Sequence, residues 1–379
     1  MKTIDLFAGC GGLSIGFKKL GFKTLGYLDW DIHCINTLKA NFSKGDAIFS
    51  HSDIRDVSDR TNKNINNFIG SLKKTSIDGI IGGPPCQAYS IAGRVRDPNG
   101  MRNDYRNYLF ESYAKFIKEF KPLFFVFENV TGLLSAKPDG PPIIQDISKS
   151  FRELGYDIPC IDKNIIFNLA DLGGSQKRKR IILFGVDNKR VKNPSEKIQK
   201  FYTNLSNQFQ KQKTVRDAIG DLPKLYPLEK PINRKSHKDD ENDDLHRSRF
   251  HNQRDIKIFN LLANDIMLKE YKYSSVESLK KLYKEMVGKN AKVHKYFVLK
   301  WNEPSNLIPA HLYKDGLRHI HPDPKQSRSI TMREAARLQN FSDEYIFKGP
   351  QTEIFKMLGN AVSPLMSEKI AHAVKNSLF

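Results

Sequence analysis

Cys86 is the residue whose type and setting best suit covalent chemistry in this sequence. It follows the apolar run Ile77–Ile81, which is typical of a short buried strand, and the segment Gly82-Gly83-Pro84-Pro85. Open α/β sheets hold their ligands at the carboxyl ends of strands, and two prolines stiffen the chain at this point. A thiol held in this way is a candidate nucleophile, although a lone cysteine is more often a buried structural residue.

Two further segments carry groups able to act on a polar ring. Glu128 ends the apolar run Leu123–Phe127, where partial loss of water favours the protonated acid and therefore a hydrogen-bond donor. A helix cap or an ion pair explains such a glutamate equally well in isolation. Arg178 and Arg180 alternate with lysines before another apolar run, so we expect both guanidinium groups on one face, able to hold a carbonyl oxygen or a phosphate. A basic strand entry exposed to solvent is the simpler explanation for that pair.

A glycine-rich turn, Phe7–Gly12, joins the first predicted strand to the first predicted helix. Glycines there let backbone amides at a helix N-terminus approach a ligand closely. Ser14 occupies the position where the dinucleotide fingerprint needs its third glycine. The second strand ends in Asp29-Trp30, a carboxylate for ribose hydroxyls beside a flat face for adenine, and Asp53-Ile54 follows the expected third strand. Together these residues suit an adenosine-bearing cofactor without a pyrophosphate; singly, they fit a tight turn, a surface acid and a core tryptophan.

The elements that must position these groups alternate between strand and helix over residues 1 to about 186, which is typical of a parallel sheet with crossover helices. Predicted strands are Thr3–Phe7, Thr24–Asp29, Ile77–Ile81, Leu123–Phe127 and Ile181–Val186. Predicted helices include Leu13–Leu20, Ile32–Asn41, Tyr108–Phe120, Met332–Gln339 and a last one near Pro364–Val374. After Val186 the chain becomes rich in lysine and asparagine, and its acidic run Asp239–Asp244 is interpreted as a solvated loop rather than a metal site.

Composition indicates a polyanion as the partner. The 379 residues carry a formal net charge of +20, of which residues 187–326 hold +11. Nucleic acid is the usual partner of such a surplus, although a merely soluble basic protein remains an alternative.

No apolar run reaches the roughly 18 residues of a membrane span, and the first residues lack a signal-peptide layout. The four cysteines form no C-x-x-C pair, which argues against disulfides and zinc. We therefore expect a reduced cytoplasmic protein.

Six motifs, read in order, resemble those of the C5-cytosine DNA methyltransferase family. The resemblance covers residues 1 to about 186 and about 304 to 379, and six motifs in family order are highly specific. The motifs are Asp5–Gly12, Gly83–Ser90, Glu128–Val130, Gln176–Arg180, Arg328–Gln339 and Gly359–Val362. Cys10, where small or apolar residues are usual, and Ser175, where proline is common, depart from the pattern without removing a catalytic group.

The resemblance implies an α/β fold with two domains. A Rossmann-like class I S-adenosylmethionine-dependent methyltransferase domain would comprise residues 1–187 and 311–379. A smaller, irregular target-recognition domain would comprise residues 188–310. The implied cofactor is S-adenosylmethionine, in a pocket lined by Phe7, Gly9, Cys10, Gly12, Asp29, Trp30, Asp53, Ile54, Pro85, Leu109, Asn360 and Val362.

The resemblance also assigns catalytic roles. Cys86 would attack C6 of a cytosine flipped out of duplex DNA, Glu128 would face its N3 and amino group, and Arg180 would hold O2 with Arg178 in support. Residues Ser90–Arg106 would form a mobile loop that closes over the DNA. The implied DNA contacts are Gln87, Ser90, Arg94, Arg96, Arg102 and Arg106.

Double-stranded DNA is the implied partner, with no metal and no membrane, for a nucleoid-associated monomer in a restriction–modification system. Three alternatives stay open. A transfer-RNA cytosine-5 methyltransferase is the nearest, and the long basic middle region favours DNA over it. A catalytically silent DNA-binding protein is opposed by the joint presence of Cys86, Glu128 and Arg180. A nicotinamide-dependent oxidoreductase is opposed by Ser14 and by the lack of a hydride-transfer constellation.

Overall fold

A computed structural model of the protein describes residues 1–59, 61–85, 108–137, 140–238, 240–290, 294, 296–314 and 316–379. Its centre is one sheet with the strand order β3-β2-β1-β4-β5-β8-β6, to which β7 adds by pairing with β8. The strands are β1 (Lys2–Leu6), β2 (Lys23–Asp29), β3 (Ile48–His51), β4 (Gly79–Gly82), β5 (Phe124–Val130), β6 (Tyr156–Asp157), β7 (Ile166–Asn168) and β8 (Lys179–Asp187).

The sheet confirms the α/β prediction but is not parallel throughout. Strands β1 to β5 pair in parallel, whereas β8 runs antiparallel to β5, β6 and β7. The five predicted strands are present as β1, β2, β4, β5 and β8. Residues 169–178 connect β7 directly to β8 without a helix, and such a short return requires antiparallel pairing.

Helices cover both faces of the sheet. Along β5, Phe125 and Phe127 enter one apolar cluster while Phe124 and Val126 enter another, as strand alternation requires. The first cluster is covered by α3 (Lys63–Leu72), α4 (Leu109–Phe120) and α5 (Ile143–Glu153). The second is covered by α1 (Gly12–Lys19), α6 (Pro194–Ser206) and α12 (Pro364–Leu378). The sheet is thus the middle of three layers.

A third apolar cluster lies beside the sheet and joins the early and late parts of the chain. It contains residues of α2 (Ile32–Phe42), α7 (Val215–Ile219), α10 (Met332–Leu338) and α11 (Gln351–Asn360). A separate small core is formed by α8 (Gln253–Met267) and α9 (Val276–Val287) with Tyr296, Val298 and Ile320.

Two segments near the predicted domain boundaries pack in these clusters. The second domain is predicted to start at residue 188, and Ile198, Phe201 and Leu205 of α6 are buried against the sheet. It is predicted to end at residue 310, and Ile320 packs into the small core of α8 and α9. The division into two domains stays a prediction. Apolar side chains at i, i+3 and i+7 fix α6 on the sheet, a helical pattern that the lysine-rich composition obscures.

Candidate active site and cofactor pocket

The glycine-rich turn lies at the carboxyl end of β1 and leads into α1. Phe7, Gly9 and Gly11 all have left-handed backbone conformations, with φ values of 56°, 53° and 80°. Gly11 is the N-cap of α1, and no side chain within the described ranges caps that end. The Gly12 amide faces the Cys10 thiol, so the amides that follow it are the ones open to a ligand. A methyl group added at Gly9 would meet no atom of the described residues within 4 Å. Among those residues the turn therefore borders open space.

Gly12, the last residue of this turn, packs against the segment that follows α11. A side chain at Gly12 would overlap the Val362 carbonyl oxygen, so the two segments touch backbone to backbone. Val362 is buried, and Asn360, which ends α11, is exposed. The structure thus brings Val362 to the glycine turn, and the predicted roles of Asn360 and Val362 in the cofactor pocket stay predictions.

Asp29 ties β2 to the same turn. Its Oδ2 accepts a hydrogen bond from the Gly9 amide at 2.8 Å, and its Oδ1 accepts one from the Asp31 amide at 2.9 Å. Burial raises the pKa of Asp29 to about 6. Each carboxylate oxygen keeps a second acceptor position, so the predicted contact with a ribose hydroxyl is compatible with these bonds.

Trp30 and Asp53 flank this position in different ways. Trp30 is 71% exposed, the largest exposure among the large apolar side chains of the described chain, so its ring is open for stacking. Asp53 caps a 3₁₀ turn, Ile54–Ser58, and pairs with Arg55 at 2.6 Å, which holds its pKa below the usual range. Ile54 is buried. Arg55 is a partner that the sequence prediction missed, because an i+2 contact in a tight turn has no periodic signal.

Cys10 and Leu109, two of the predicted pocket residues, have buried side chains. The Cys10 thiol is 1% exposed within the apolar cluster of α2, α10 and α11, and burial raises its pKa to about 12. Its carbonyl accepts a hydrogen bond from the Tyr345 hydroxyl. The Cys10 side chain therefore packs in the core, and its predicted place in the cofactor pocket stays a prediction. Leu109 is buried in the core at the start of α4, and Pro85 is half-buried.

Glu128 and Arg180 meet at the border between β5 and β8. The antiparallel register places Arg180 opposite Val130, two residues from Glu128, on the adjacent strand. Arg180 Nε lies 2.7 Å from Glu128 Oε1, and both side chains are 9% exposed. The sequence predicts a desolvated acid at this position, and the structure adds that the acid has a guanidinium partner.

The same glutamate lies against the segment that precedes Cys86. A methyl group added at Gly83 would lie 2.6 Å from Glu128 Oε2, and Asn129 Nδ2 donates to the Pro84 carbonyl at 3.2 Å. The segment Gly83–Pro85 is therefore held on Glu128 and Asn129. Cys86 and the predicted DNA contacts lie outside the described residues; those contacts are Gln87, Ser90, Arg94, Arg96, Arg102 and Arg106.

Arg178 does not join the Glu128–Arg180 pair. It is 1% exposed and donates to the carbonyls of Gly359 at 3.0 Å, Ala361 at 2.7 Å and Ile308 at 3.4 Å. These bonds hold the turn after α11 and the segment that returns from the second domain. The guanidinium of Arg178 is thus bound to backbone carbonyls, and its predicted supporting role beside Arg180 stays a prediction.

Ser14, which argues against a dinucleotide site, has a structural partner. Its hydroxyl donates to Asp5 Oδ2 at 2.6 Å in the interior between α1 and β1. Burial raises the pKa of Asp5 to about 7, with a smaller contribution from Asp29. Two buried carboxyl groups therefore adjoin the turn. Asp5 precedes it on β1, and Asp29 accepts a hydrogen bond from its Gly9 amide.

The family model for C-5 cytosine-specific DNA methylases matches residues 1–376. The chain belongs to this family. Among similar curated proteins, the type II methyltransferase M.Bpa9945I of Bacillus paralicheniformis is 33% identical over 450 aligned positions, covering 99% of each chain. The type II methyltransferase M.DdeI of Desulfomicrobium norvegicum is 30% identical over 407 positions, covering 99% of this chain and 88% of that one.

A solved structure supports the fold of this C-5 cytosine methylase. A candidate DNA modification methyltransferase encoded within an E. coli prophage matches with a TM-score of 0.67 and 26% identity, covering 100% of this chain and 99% of that one. No group of three or more possible metal ligands occurs in the part of the chain that the structure describes. Nor does any helix within those ranges have the length and apolar character to cross a membrane.

Proposed function

We propose that this C-5 cytosine methylase acts on one short sequence of duplex DNA with S-adenosylmethionine as methyl donor. In this proposal it works as a monomer at the bacterial nucleoid and protects host DNA in a type II restriction–modification system. The observation that carries the proposal is the Glu128–Arg180 pair, held against the segment that ends in Cys86. The type II names of both relatives support the restriction–modification role.

The residues around the glycine turn suit S-adenosylmethionine. Open space at Gly9, free amides at the start of α1 and the exposed ring of Trp30 fit the amino-acid, ribose and adenine portions of an adenosyl ligand. Asp29 keeps acceptor capacity for ribose hydroxyls. When bound, this cofactor supplies an electrophilic methyl group on a sulfonium sulfur.

Cytosine C5 is too weak a nucleophile for that methyl group until the ring is activated. In the proposal the Cys86 thiolate forms a bond to C6, which breaks the aromatic system and places an electron pair on C5. Glu128 hydrogen-bonds at N3 and Arg180 at O2, so both offset negative charge that develops on the ring. After C5 gains its methyl group, a base removes the C5 proton and Cys86 leaves C6 as the thiolate.

The target base must leave the duplex for this chemistry, because C5 and C6 are inaccessible within a stacked helix. The segment Ser90–Arg106 is proposed to close over the flipped base, with Arg94, Arg96, Arg102 and Arg106 on phosphates. Protection of this segment from protease by DNA and cofactor together is the expected result. Unchanged cleavage would remove the loop from the proposal.

The experiment is transfer of labelled methyl from S-adenosylmethionine to mixed-sequence duplex DNA, followed by bisulfite sequencing. We expect methylated cytosines in a single short sequence context. Glu128→Gln should slow the transfer by several orders of magnitude with cofactor binding retained. Incorporation into transfer RNA but not into duplex DNA would contradict the proposal and favour the RNA branch of the family, which the type II names of the relatives support less well.

A further inference from the structure

A two-stranded ribbon projects from the second domain. It consists of β9 (Pro227–Ile232) and β10 (Lys235–His237), which pair antiparallel. Ile232 pairs with Lys235, so Asn233 and Arg234 alone form the turn, with φ values of 49° and 63°. Two left-handed residues between antiparallel strands define a type I′ turn, for which Asn-Gly is the favoured sequence. Arginine at the second position is therefore unfavourable for the turn itself.

The distal half of the ribbon is open to solvent on both faces. The last four residues of β9 are exposed, and Ile232 at the tip is 60% exposed. The β9 edge is a poor template for another strand, because residues 228–231 lie opposite Ser236 alone and Pro231 lacks an amide hydrogen. The ribbon is thus shaped to contact a partner through its tip and side chains rather than by strand addition.

The base of the ribbon is fixed to the protein interior. His237 is 1% exposed, and its Nε2 hydrogen-bonds the Gln326 carbonyl at 2.8 Å. Ser236 is 3% exposed, and its hydroxyl accepts a hydrogen bond from the His251 amide at 2.9 Å. A rigid base with an exposed tip holds the tip side chains in a defined geometry, as a recognition element requires.

The side chains at the tip of the ribbon are of the types that recognise base edges in DNA. Arginine pairs with guanine, asparagine pairs with adenine, and an apolar group contacts the thymine methyl. Asn233 and Arg234 make no side-chain hydrogen bond or ion pair within the described ranges, so their donors are available. The ribbon also carries Lys230 and Lys235 against a single acid, Glu229, so its net charge is positive. The major groove of DNA admits a two-stranded ribbon.

We propose that this ribbon enters the major groove of the DNA target, where Asn233 and Arg234 contact base edges and Ile232 contacts an apolar base surface. The inference rests on the proposed function, since it names the element that selects the sequence. It explains why arginine occupies a turn position that glycine fits better. A contact between the Arg234 guanidinium and a base would offset the conformational cost of the left-handed residue.

The test is Arg234→Gly, which removes the guanidinium and creates the favoured Asn-Gly turn. Lys269→Gly is the matched control, because Lys269 is also exposed, cationic and left-handed, with φ 59°, but lies after α8. Both variants and the wild type methylate a mixed-sequence duplex library that is then sequenced after bisulfite treatment. Binding of S-adenosylmethionine and the thermal melting temperature are measured for all three proteins.

At one position of the recognised sequence, we expect Arg234→Gly to prefer the correct base pair over an incorrect one about 10- to 100-fold less strongly than the wild type does. Its cofactor affinity should stay at the wild-type level, and its melting temperature should not fall, because glycine fits the left-handed turn position better than arginine. Lys269→Gly should keep the wild-type sequence preference. Unaltered preference in Arg234→Gly overturns this inference. Equal weakening on all sequences with a shallower salt dependence also overturns it, because that result is typical of a phosphate contact. A wild type that methylates no duplex DNA instead overturns the proposed function on which the inference depends.

Discussion

Gly83→Ala is the substitution that most directly tests the geometry around Glu128. The backbone at Gly83 is not left-handed, so alanine is compatible with its conformation and the effect is steric. The added methyl group would lie 2.6 Å from Glu128 Oε2, whereas ordinary contact begins at 3.4 Å, so the carboxylate has to retreat by about 0.8 Å. Arg180 contacts the other carboxylate oxygen at 2.7 Å and limits that movement.

The magnitude follows from the position of the acid in the proposed chemistry. A misplacement of about 1 Å in a catalytic group costs roughly 100-fold in rate, so we expect a 10- to 100-fold loss of kcat. Disturbing a buried, charge-assisted hydrogen bond should also cost about 1–3 kcal/mol in the free energy of unfolding. Affinity for S-adenosylmethionine should stay unchanged, because Gly83 lies beside the acid rather than beside the glycine turn.

The assay is single-turnover methyl transfer to duplex DNA, combined with a cofactor titration and a thermal melt. Gly70→Ala is the matched control: Gly70 is exposed on α3, and a methyl group there meets nothing within 4 Å. That variant should retain full activity and gain about 0.5–1 kcal/mol of stability from helix propensity. A Gly83→Ala enzyme with wild-type kcat would refute the position assigned to the Glu128 carboxylate.

Three other substitutions test the remaining parts of the site. Cys86→Ser should abolish turnover and leave cofactor binding intact in a titration; a loss of cofactor affinity would show that Cys86 is not simply the nucleophile. Trp30→Ala should weaken S-adenosylmethionine by roughly 1–3 kcal/mol, as for a base stacked on an aromatic ring; because Trp30 is 71% exposed, the melting temperature should hardly change, and unaltered affinity would remove Trp30 from the pocket. Asp5→Asn tests buried charge. Because burial raises the pKa of Asp5 from 3.8 to about 7, the folded state keeps a proton that the unfolded state has lost between those pH values, so this group's contribution to stability falls as pH rises. The melting temperature of Asp5→Asn relative to the wild type should therefore be higher at pH 8 than at pH 5, and an equal difference at both pH values would contradict the raised pKa.

The sequence predicts the central strands well, because β1, β2, β4, β5 and β8 are short apolar runs bounded by polar residues or glycine. The direction of a strand cannot be predicted in the same way. Apolar periodicity reports burial, which is the same for parallel and antiparallel neighbours, so it did not predict the reversed direction of β8. Ile198, Phe201 and Leu205 of α6 have helical spacing and are buried against the sheet, but the high lysine and asparagine content of this part of the chain obscures that pattern in the sequence.

For the site, motif order predicts which segments meet but not what each side chain contacts. The prediction that Glu128 and Arg180 act at one place agrees with their direct pairing. Strand alternation places Arg178 on the same face as Arg180, yet its hydrogen bonds go to Gly359 and Ala361, about 180 positions later in the chain. Such carbonyl partners leave no trace in local sequence. Cys10 is similar, since only the position of Tyr345 and α11 shows that its thiol lies in the core.

The packing of α12 on α1 has a consequence for synthesis of the protein. The Ser367 hydroxyl donates to the Leu13 carbonyl from 354 positions later in the chain, and Val362 closes against Gly12. At a translation rate of about 5–20 residues per second, the ribosome needs roughly 20–70 seconds to make the intervening segment. During that time the apolar side of α1 has no permanent cover. The contact between the glycine-rich turn and Val362 therefore forms only after residue 362 has been made, and a nascent chain that has not reached α12 is expected to be inactive and to depend on chaperones.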